Sequence, residues 1–328
     1  LIQKGADTNY VIPGYVVSPL CNAAKYGHIK IMQLLIDNGA NVNARGHHGY
    51  TVLMIACQFG NIEAVEMLLK QGAKVDSKND NNMTVLKIAC ANFHPIIALT
   101  IIQHSDRVNQ NSTRFQNAPL LAACNTGLYK TVKKLLQNGA EVDETNQDKI
   151  TPLWLACQLG LTDLVDLLLS HGANVHHKCK LLHSTPLLIA CKHGQYNIVE
   201  KLLQNGARVS QTCKYDETPL SIAAAEGHTR VIVLLLHYGA DINHPDINGN
   251  TPLIIACSFD RVNTIALLLQ REECNIFHLN DNCETALSIS RNKDFYSTSL
   301  SHVFTFAKFQ KRKGEKVQTK LIEQKNDE

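Results

Sequence analysis

The sequence predicts an all-α solenoid, a stack of short helical hairpins, and two periodic markers carry that prediction. The dipeptide Gly–Ala recurs at intervals of 33 or 34 residues, with one interruption, beginning at Gly5, Gly39, Gly72, Gly139, Gly172, Gly206 and Gly239. A triplet of the type Thr-Pro-Leu keeps the same interval and begins at Ser18, Thr51, Thr84, Ala118, Thr151, Thr185, Thr218, Thr251 and Thr285. Such a period is typical of repeat architectures, in which each unit buries its apolar face against its neighbours.

The unit that begins at Thr151 shows how the chain forms each hairpin. Thr151 is a good N-cap, and Pro152 fits the first helical turn, where its missing N–H costs nothing. Gly160 suits the left-handed residue that ends this first helix. Leu168 lies on the apolar face of a second helix, which Gly172 closes in the same way.

A polar stretch rich in Asn and Asp separates the second helix of each unit from the next Thr, as in residues 243–250. These residue types favour a tight turn. The sequence therefore predicts a short β-hairpin that projects from the stack, called a finger below.

The whole unit reads Thr-Pro-Leu-x-x-Ala-(Ala/Cys)-x-x-Gly, then Val-x-x-Leu-Leu-x-x-Gly-Ala-x-(Val/Ile)-(Asn/Asp), and it resembles the ankyrin repeat. The resemblance covers roughly residues 1–290. It implies an ankyrin repeat stack of helix-turn-helix units with fingers set at right angles. It also implies a concave groove, formed by the first helices and the finger tips, that binds a partner protein.

The period sets the boundaries of the units. We expect the second half of a truncated repeat at 1–10, and a chain cut from a longer protein, because no Met begins it. Full repeats follow at 11–43, 44–76, 111–143, 144–177, 178–210 and 211–243, with a degenerate repeat at 77–110 and a divergent one at 244–277. Residues 278–307 form a partial repeat or C-terminal cap, and 308–328 a basic, disordered tail.

Three departures from the family pattern affect the packing. Phe93 and Asp260 replace the first-helix glycine of their repeats, and a side chain at a left-handed position is costly, so we expect a distorted turn at Phe93. The His that follows Thr-Pro-Leu in the family is absent from every unit. Trp154 stands one position after Thr-Pro-Leu, where we expect it to fill the core between repeats.

Composition excludes several classes of protein. The apolar fraction of 45% is enough for a core, and the net charge of only +3 argues against a dedicated nucleic-acid binder. No run of 18 apolar residues occurs, so we expect no membrane span in this segment.

The cysteines indicate a reducing compartment. Six of the 11 share one repeat position with Ala24 and Ala224, which makes them small core residues: Cys57, Cys90, Cys124, Cys157, Cys191 and Cys257. Equivalent positions in stacked units lie about 8–10 Å apart, too far for a disulfide. We therefore expect an intracellular protein, in the cytoplasm or else the nucleus.

The sequence carries no pattern typical of catalysis. The segment His176–His183 contains His and Cys, but its spacing matches no zinc pattern and its lysines would repel a cation. No Walker loop, nucleophile elbow, kinase set or metalloprotease helix occurs. We expect neither an enzyme nor a metal or cofactor site.

The candidate binding residues lie on the fingers and at the ends of the first helices. Aromatic and Arg side chains are the usual anchors of interfaces. The predicted protein-binding residues are Tyr26, Arg45, His47, His48, Tyr50, Phe59, Phe115, Leu159, Leu181, Leu182, Tyr215, Ile247 and Phe259.

The resemblance implies a non-catalytic scaffold or adaptor, a monomer that binds a partner protein and no nucleic acid. One alternative is the substrate-recruiting or regulatory arm of a larger enzyme, a ubiquitin ligase or kinase, with its catalytic domain outside this stretch. Another is the cytosolic repeat array of an ion channel.

Overall fold

The structure is a computed structural model that describes residues 6–11, 17–104, 119–180, 182–291 and 304–305. The chain divides into two compact units, Leu1–Asn174 and Val175–Glu328. Both are all-α over the described residues.

Helices come in pairs, and the first helix of each pair is called the inner helix and the second the outer helix. The first unit holds α1 (Pro19–Lys25), α2 (Ile29–Asp37), α3 (Val52–Gln58), α4 (Ile62–Lys70), α5 (Val85–Ala91), α6 (Pro95–Gln103), α7 (Pro119–Asn125), α8 (Tyr129–Gln137), α9 (Pro152–Leu159) and α10 (Thr162–Ser170). The second holds α11 (Pro186–Lys192), α12 (Tyr196–Gln204), α13 (Pro219–Glu226), α14 (Thr229–His237), α15 (Pro252–Ser258), α16 (Val262–Leu269) and α17 (Ala286–Arg291).

The predicted caps are confirmed. The Thr151 hydroxyl accepts the backbone N–H of Trp154, and the same bond is made at Ser18, Thr51, Thr84, Thr185, Thr218 and Thr251. Gly160 has φ 72° and ends α9 in the left-handed region. Each of these seven inner helices therefore begins at a cap that comes from its own repeat.

Stacking follows the repeat order in each unit. In the first unit α1, α3, α5, α7 and α9 pack in succession, as do α2, α4, α6, α8 and α10. In the second, α11, α13, α15 and α17 pack in succession beside α12, α14 and α16. Leu168 is fully buried, and so are the six repeat-position cysteines. The cysteines are thus core residues, as predicted.

The turn at Phe93 differs from the expectation. Phe93 has φ 61°, and Asp260 also has φ 61°, close to the φ 75° of Gly60 at the equivalent position. The expected distortion is wrong, because these side chains adopt the left-handed conformation and point outward; Phe93 is exposed. The turn keeps its shape, and the strain stays in one residue.

The fingers are tight turns with little strand pairing. Backbone bridges join Arg45 to Thr51 and Lys78 to Thr84, and both are isolated. In four fingers one carboxyl or amide oxygen accepts the N–H groups two and four residues later; these residues are Asn79, Asn146, Asp246 and Asn280. Side-chain bonds of this kind hold a turn closed without a ladder of strands.

Candidate binding surfaces

Side chains that precede the outer helices tie each repeat to the one before it. Asn61 Nδ2 donates to the carbonyl oxygens of Ala24 and Lys25, at 2.8 and 2.9 Å. His94 Nε2 and Gln58 O lie 3.2 Å apart. These carbonyls are at the C-terminal ends of inner helices, where no intrahelical donor is left for them.

The second unit uses the same position. His228 Nε2 and Lys192 O lie 3.1 Å apart, and Arg261 Nε donates to Ala225 O at 2.6 Å. Sequence reasoning missed this position because its residue type varies. These bonds join successive repeats through a side chain whose type changes from one repeat to the next.

Neighbouring fingers are joined through their backbones. In the first unit the N–H of Asp80 donates to His48 O at 3.1 Å. In the second, the N–H of Lys214 donates to Leu182 O at 2.9 Å and that of Ile247 to Tyr215 O at 3.0 Å. The finger tips of each unit therefore have fixed spacing.

Tyr26 and Phe59 occupy equivalent positions at the ends of α1 and α3 and are called the aromatic pair. Tyr26 is 61% and Phe59 47% exposed. Lys25 Nζ lies 5.3 Å from the centroid of each ring, within the range of a cation–π contact. The structure thus brings together two of the predicted residues and a lysine that is absent from that set.

The finger of residues 45–50 gives a mixed result. His47 and His48 are exposed, with ring centroids 3.8 Å apart, and Tyr50 is half-buried. Arg45 Nη1 donates to the carbonyl oxygens of Gly49 and Lys78, at 3.3 and 2.9 Å. The guanidinium of Arg45 therefore joins two neighbouring fingers, and its positive charge lies at the surface of the finger.

Three further predicted residues are either separate from the aromatic pair or outside the described residues. Leu159 is exposed at the end of α9, three repeats after Phe59. Phe115 and Leu181 lie outside the described residues.

Leu182, Tyr215 and Ile247 lie on three successive fingers of the second unit and are called the fingertip patch. Their exposed fractions are 46%, 47% and 59%. The backbone bonds between their fingers place them side by side. Phe259, also exposed, lies apart from them at the end of α15.

Glu144 has a role that the sequence did not reveal. Its Oε1 accepts the N–H of Leu121 at 3.1 Å, at the start of α7, where Ala118 stands in place of the usual Thr. Burial raises the pKa of Glu144 to about 7, the bonds from α7 partly oppose the shift, and the charge of Glu141 adds to it. A missing Thr cap is the sequence feature that could have prompted a search for a substitute.

The ionisable core groups are poorly suited to nucleophilic chemistry. Burial raises the pKa of the Cys90 thiol to about 12 and raises those of Cys57, Cys124 and Cys191 still further. A thiol that stays protonated is a weak nucleophile. Among the residues with described positions, no group of three or more His, Cys, Asp or Glu side chains could hold a metal ion.

Trp154 is buried, at 8% exposure, as the core interpretation predicts. Its Nε1 has no hydrogen-bond acceptor among the residues that the structure describes. A buried indole N–H without an acceptor carries a desolvation cost.

These features define a helical repeat protein whose inner-helix ends and fingers are hydrogen-bonded to neighbouring repeats and bear exposed apolar side chains. The family profile described as "Ankyrin repeats (3 copies)" matches residues 1–79, 71–146, 120–213 and 187–279. The chain belongs to the ankyrin repeat family.

One curated relative is similar over a short stretch. The E3 ubiquitin-protein ligase XBAT33 of Arabidopsis thaliana is 52% identical to this chain over 44 residues, which are 13% of the chain and 9% of the relative. The chain thus matches less than a tenth of that protein.

Within the described part of the chain, the structure has no helix both long enough and apolar enough to span a bilayer.

Proposed function

We propose that this chain is a non-catalytic scaffold or adaptor that binds a partner protein through its inner-helix ends and finger tips. Ankyrin repeats are protein-interaction modules, and the buried, protonated thiols suit a structural role. The proposal includes a monomer in a reducing compartment, the cytoplasm or the nucleus, with no nucleic acid as ligand.

The fingertip patch is the observation that carries this proposal. Leu182, Tyr215 and Ile247 are about half exposed, although the backbones that bear them are hydrogen-bonded to one another. Large apolar side chains on a rigid frame bind with little loss of conformational entropy. Side chains that do not pack within the stack are free to pack against a partner.

The test compares two triple variants of the full chain in affinity capture followed by mass spectrometry. The first, Leu182→Ser, Tyr215→Ser and Ile247→Ser, removes the patch. The matched control, Val233→Ser, Tyr238→Ser and Val262→Ser, removes exposed apolar side chains from outer helices α14 and α16 and from the C-cap of α14.

We expect proteins that the wild type and the control capture to be lost by the patch variant, with equal thermal unfolding of all three. Equal capture by the two variants would show that the fingertip patch is not the binding surface. A captured set that is unchanged by every substitution on fingers and inner helices would contradict the proposal as a whole.

The alternative of a substrate-recruiting arm has one supporting observation, the 44-residue similarity to an E3 ubiquitin-protein ligase. On this alternative the captured partner is a substrate, and the catalytic domain lies in a longer reading frame. The test is a ubiquitin-transfer assay on the full gene product with the captured protein. Transfer that is lost in the patch variant would favour this alternative over a plain adaptor.

A further inference from the structure

The ammonium group of Lys25 lies near two exposed aromatic rings. Its Nζ lies 5.3 Å from the ring centroids of both Tyr26 and Phe59. No carboxylate forms an ion pair with Lys25 within the described ranges. The ammonium group is therefore in a setting of partly apolar character, beside the two rings.

Charge is segregated between the two sides of the first three repeats. Over residues 17–91 the inner helices and finger tips carry four cations and one acid: Lys25, Arg45, Lys78, Lys87 and Asp80. The outer helices and finger bases of the same repeats are nearly balanced: Lys30, Lys70 and Lys74 against Asp37, Glu63, Glu66 and Asp76. A positive potential thus lies on the side that bears the aromatic pair.

The partial burial of Lys87 also favours an anion beside it. Lys87 is half-buried on α5, and burial lowers the pKa of its ammonium group. A carboxylate docked nearby would offset part of that desolvation.

The aromatic pair adds an apolar requirement. The faces of aromatic rings accept aliphatic or aromatic groups. A ligand that satisfies Lys25, Tyr26 and Phe59 together has a carboxylate beside a large apolar side chain.

We propose that the inner helices and fingers of the first three repeats bind an acidic peptide segment with an aromatic or aliphatic residue beside its carboxylates. This rests on the proposed function, since it names the partner chemistry of one part of the binding face. A peptide fits better than a nucleic acid, because four cations spread over three repeats do not form the dense basic stripe that a phosphate backbone requires.

Fluorescence anisotropy of the full chain tests the proposal with two labelled ten-residue peptides. One has a central Phe flanked by Glu and Asp, and the other replaces every acid by its amide. We expect the acidic peptide to bind at least tenfold more tightly, and its affinity to fall as salt rises from about 50 to 300 mM.

Two charge reversals locate the site. Lys25→Glu should weaken the acidic peptide tenfold or more, and Lys30→Glu, the same change on outer helix α2, should leave it within twofold. Phe59→Ala should weaken both peptides by a similar factor and leave the salt dependence unchanged. Circular dichroism of each variant confirms that it is folded.

Three results would overturn the inference: equal binding of the two peptides, equal effects of Lys25→Glu and Lys30→Glu, or tighter binding of a generic duplex than of the acidic peptide. The fingertip variant separates this inference from the proposed function. If the fingertip variant captures no partner but still binds the acidic peptide, the two surfaces are independent. If only the expected effect of Lys25→Glu is missing, the inference is wrong and the proposed function of the fingertip patch stands.

Discussion

The carboxylate of Glu144 accepts a hydrogen bond from the backbone N–H of Leu121, 3.1 Å away, and so takes the place that a Thr hydroxyl holds in sister repeats. The bond joins the finger of one repeat to the inner helix of the repeat before it. It also places a carboxyl group where burial raises its pKa from 4.5 to about 7. The cap of α7 is therefore sensitive to pH.

Glu144→Gln should remove a pH dependence of stability. Because the folded pKa lies above the unfolded one, the native state binds the extra proton between about pH 4.5 and 7, and stability falls as pH rises through that window. The loss from Glu144 is on the order of 2 kcal/mol, allowing for its partial exposure. Urea unfolding at pH 5 and 8 should show a smaller decrease for Glu144→Gln than for the wild type, and an equal decrease in both would contradict this assignment.

Gly60→Ala should destabilise the chain more than Gly72→Ala. Both glycines are left-handed, with φ 75° and 79°, so both substitutions incur about 1–2 kcal/mol of backbone strain. A Cβ at Gly60 would come within 2.6 Å of His94 Cε1, whereas one at Gly72 meets nothing. The clash should break the bond from His94 to Gln58 O and add about 1 kcal/mol.

Thermal unfolding of both variants measures this difference. The double variant Gly60→Ala/His94→Ala should show no further loss beyond that of His94→Ala and the backbone strain. Equal destabilisation by the two glycine substitutions would mean that His94 does not hold the inter-repeat bond.

What the sequence predicted well is local. Thr151 caps the helix that it begins and Gly160 ends it, and both interactions span a few residues, so the residue type alone indicates them. The exposure of Tyr26, Phe59 and Tyr215 was predictable for a related reason, since the period places each at a fixed point of its repeat.

What the sequence did not reveal spans a whole repeat. Glu144 reaches back 23 residues to Leu121, and Arg261 reaches back 36 to Ala225. Such bonds depend on the distance between stacked backbones, which residue types do not encode. For the same reason Arg45 was predicted as an anchor, although its guanidinium is bonded to Lys78 O of the next finger.

Leu168→Ala should cost about 2–5 kcal/mol, because Leu168 is fully buried on outer helix α10 and the substitution leaves a cavity. Leu159→Ala is the matched control, since Leu159 lies in the same repeat with its side chain exposed. We expect the control to stay within about 0.5 kcal/mol of the wild type in urea unfolding. A loss of less than half a kcal/mol at Leu168 would mean that the repeat phase is misassigned.

Trp154→Phe should change stability by less than about 1 kcal/mol, a small effect for a buried Trp. The smaller ring loses apolar burial, at about 25 cal/mol per Å². It also removes an indole N–H that has no acceptor among the described residues, and such a group costs about 1–3 kcal/mol. The two terms oppose each other. Leu153→Ala on the same helix is the control and should cost about 2–5 kcal/mol, because the loss of a fully buried aliphatic group has no compensating gain.

Trp154 is the single tryptophan, so circular dichroism rather than fluorescence must follow the unfolding. A loss at Trp154→Phe as large as that of Leu153→Ala would show that the indole N–H has a partner in solution.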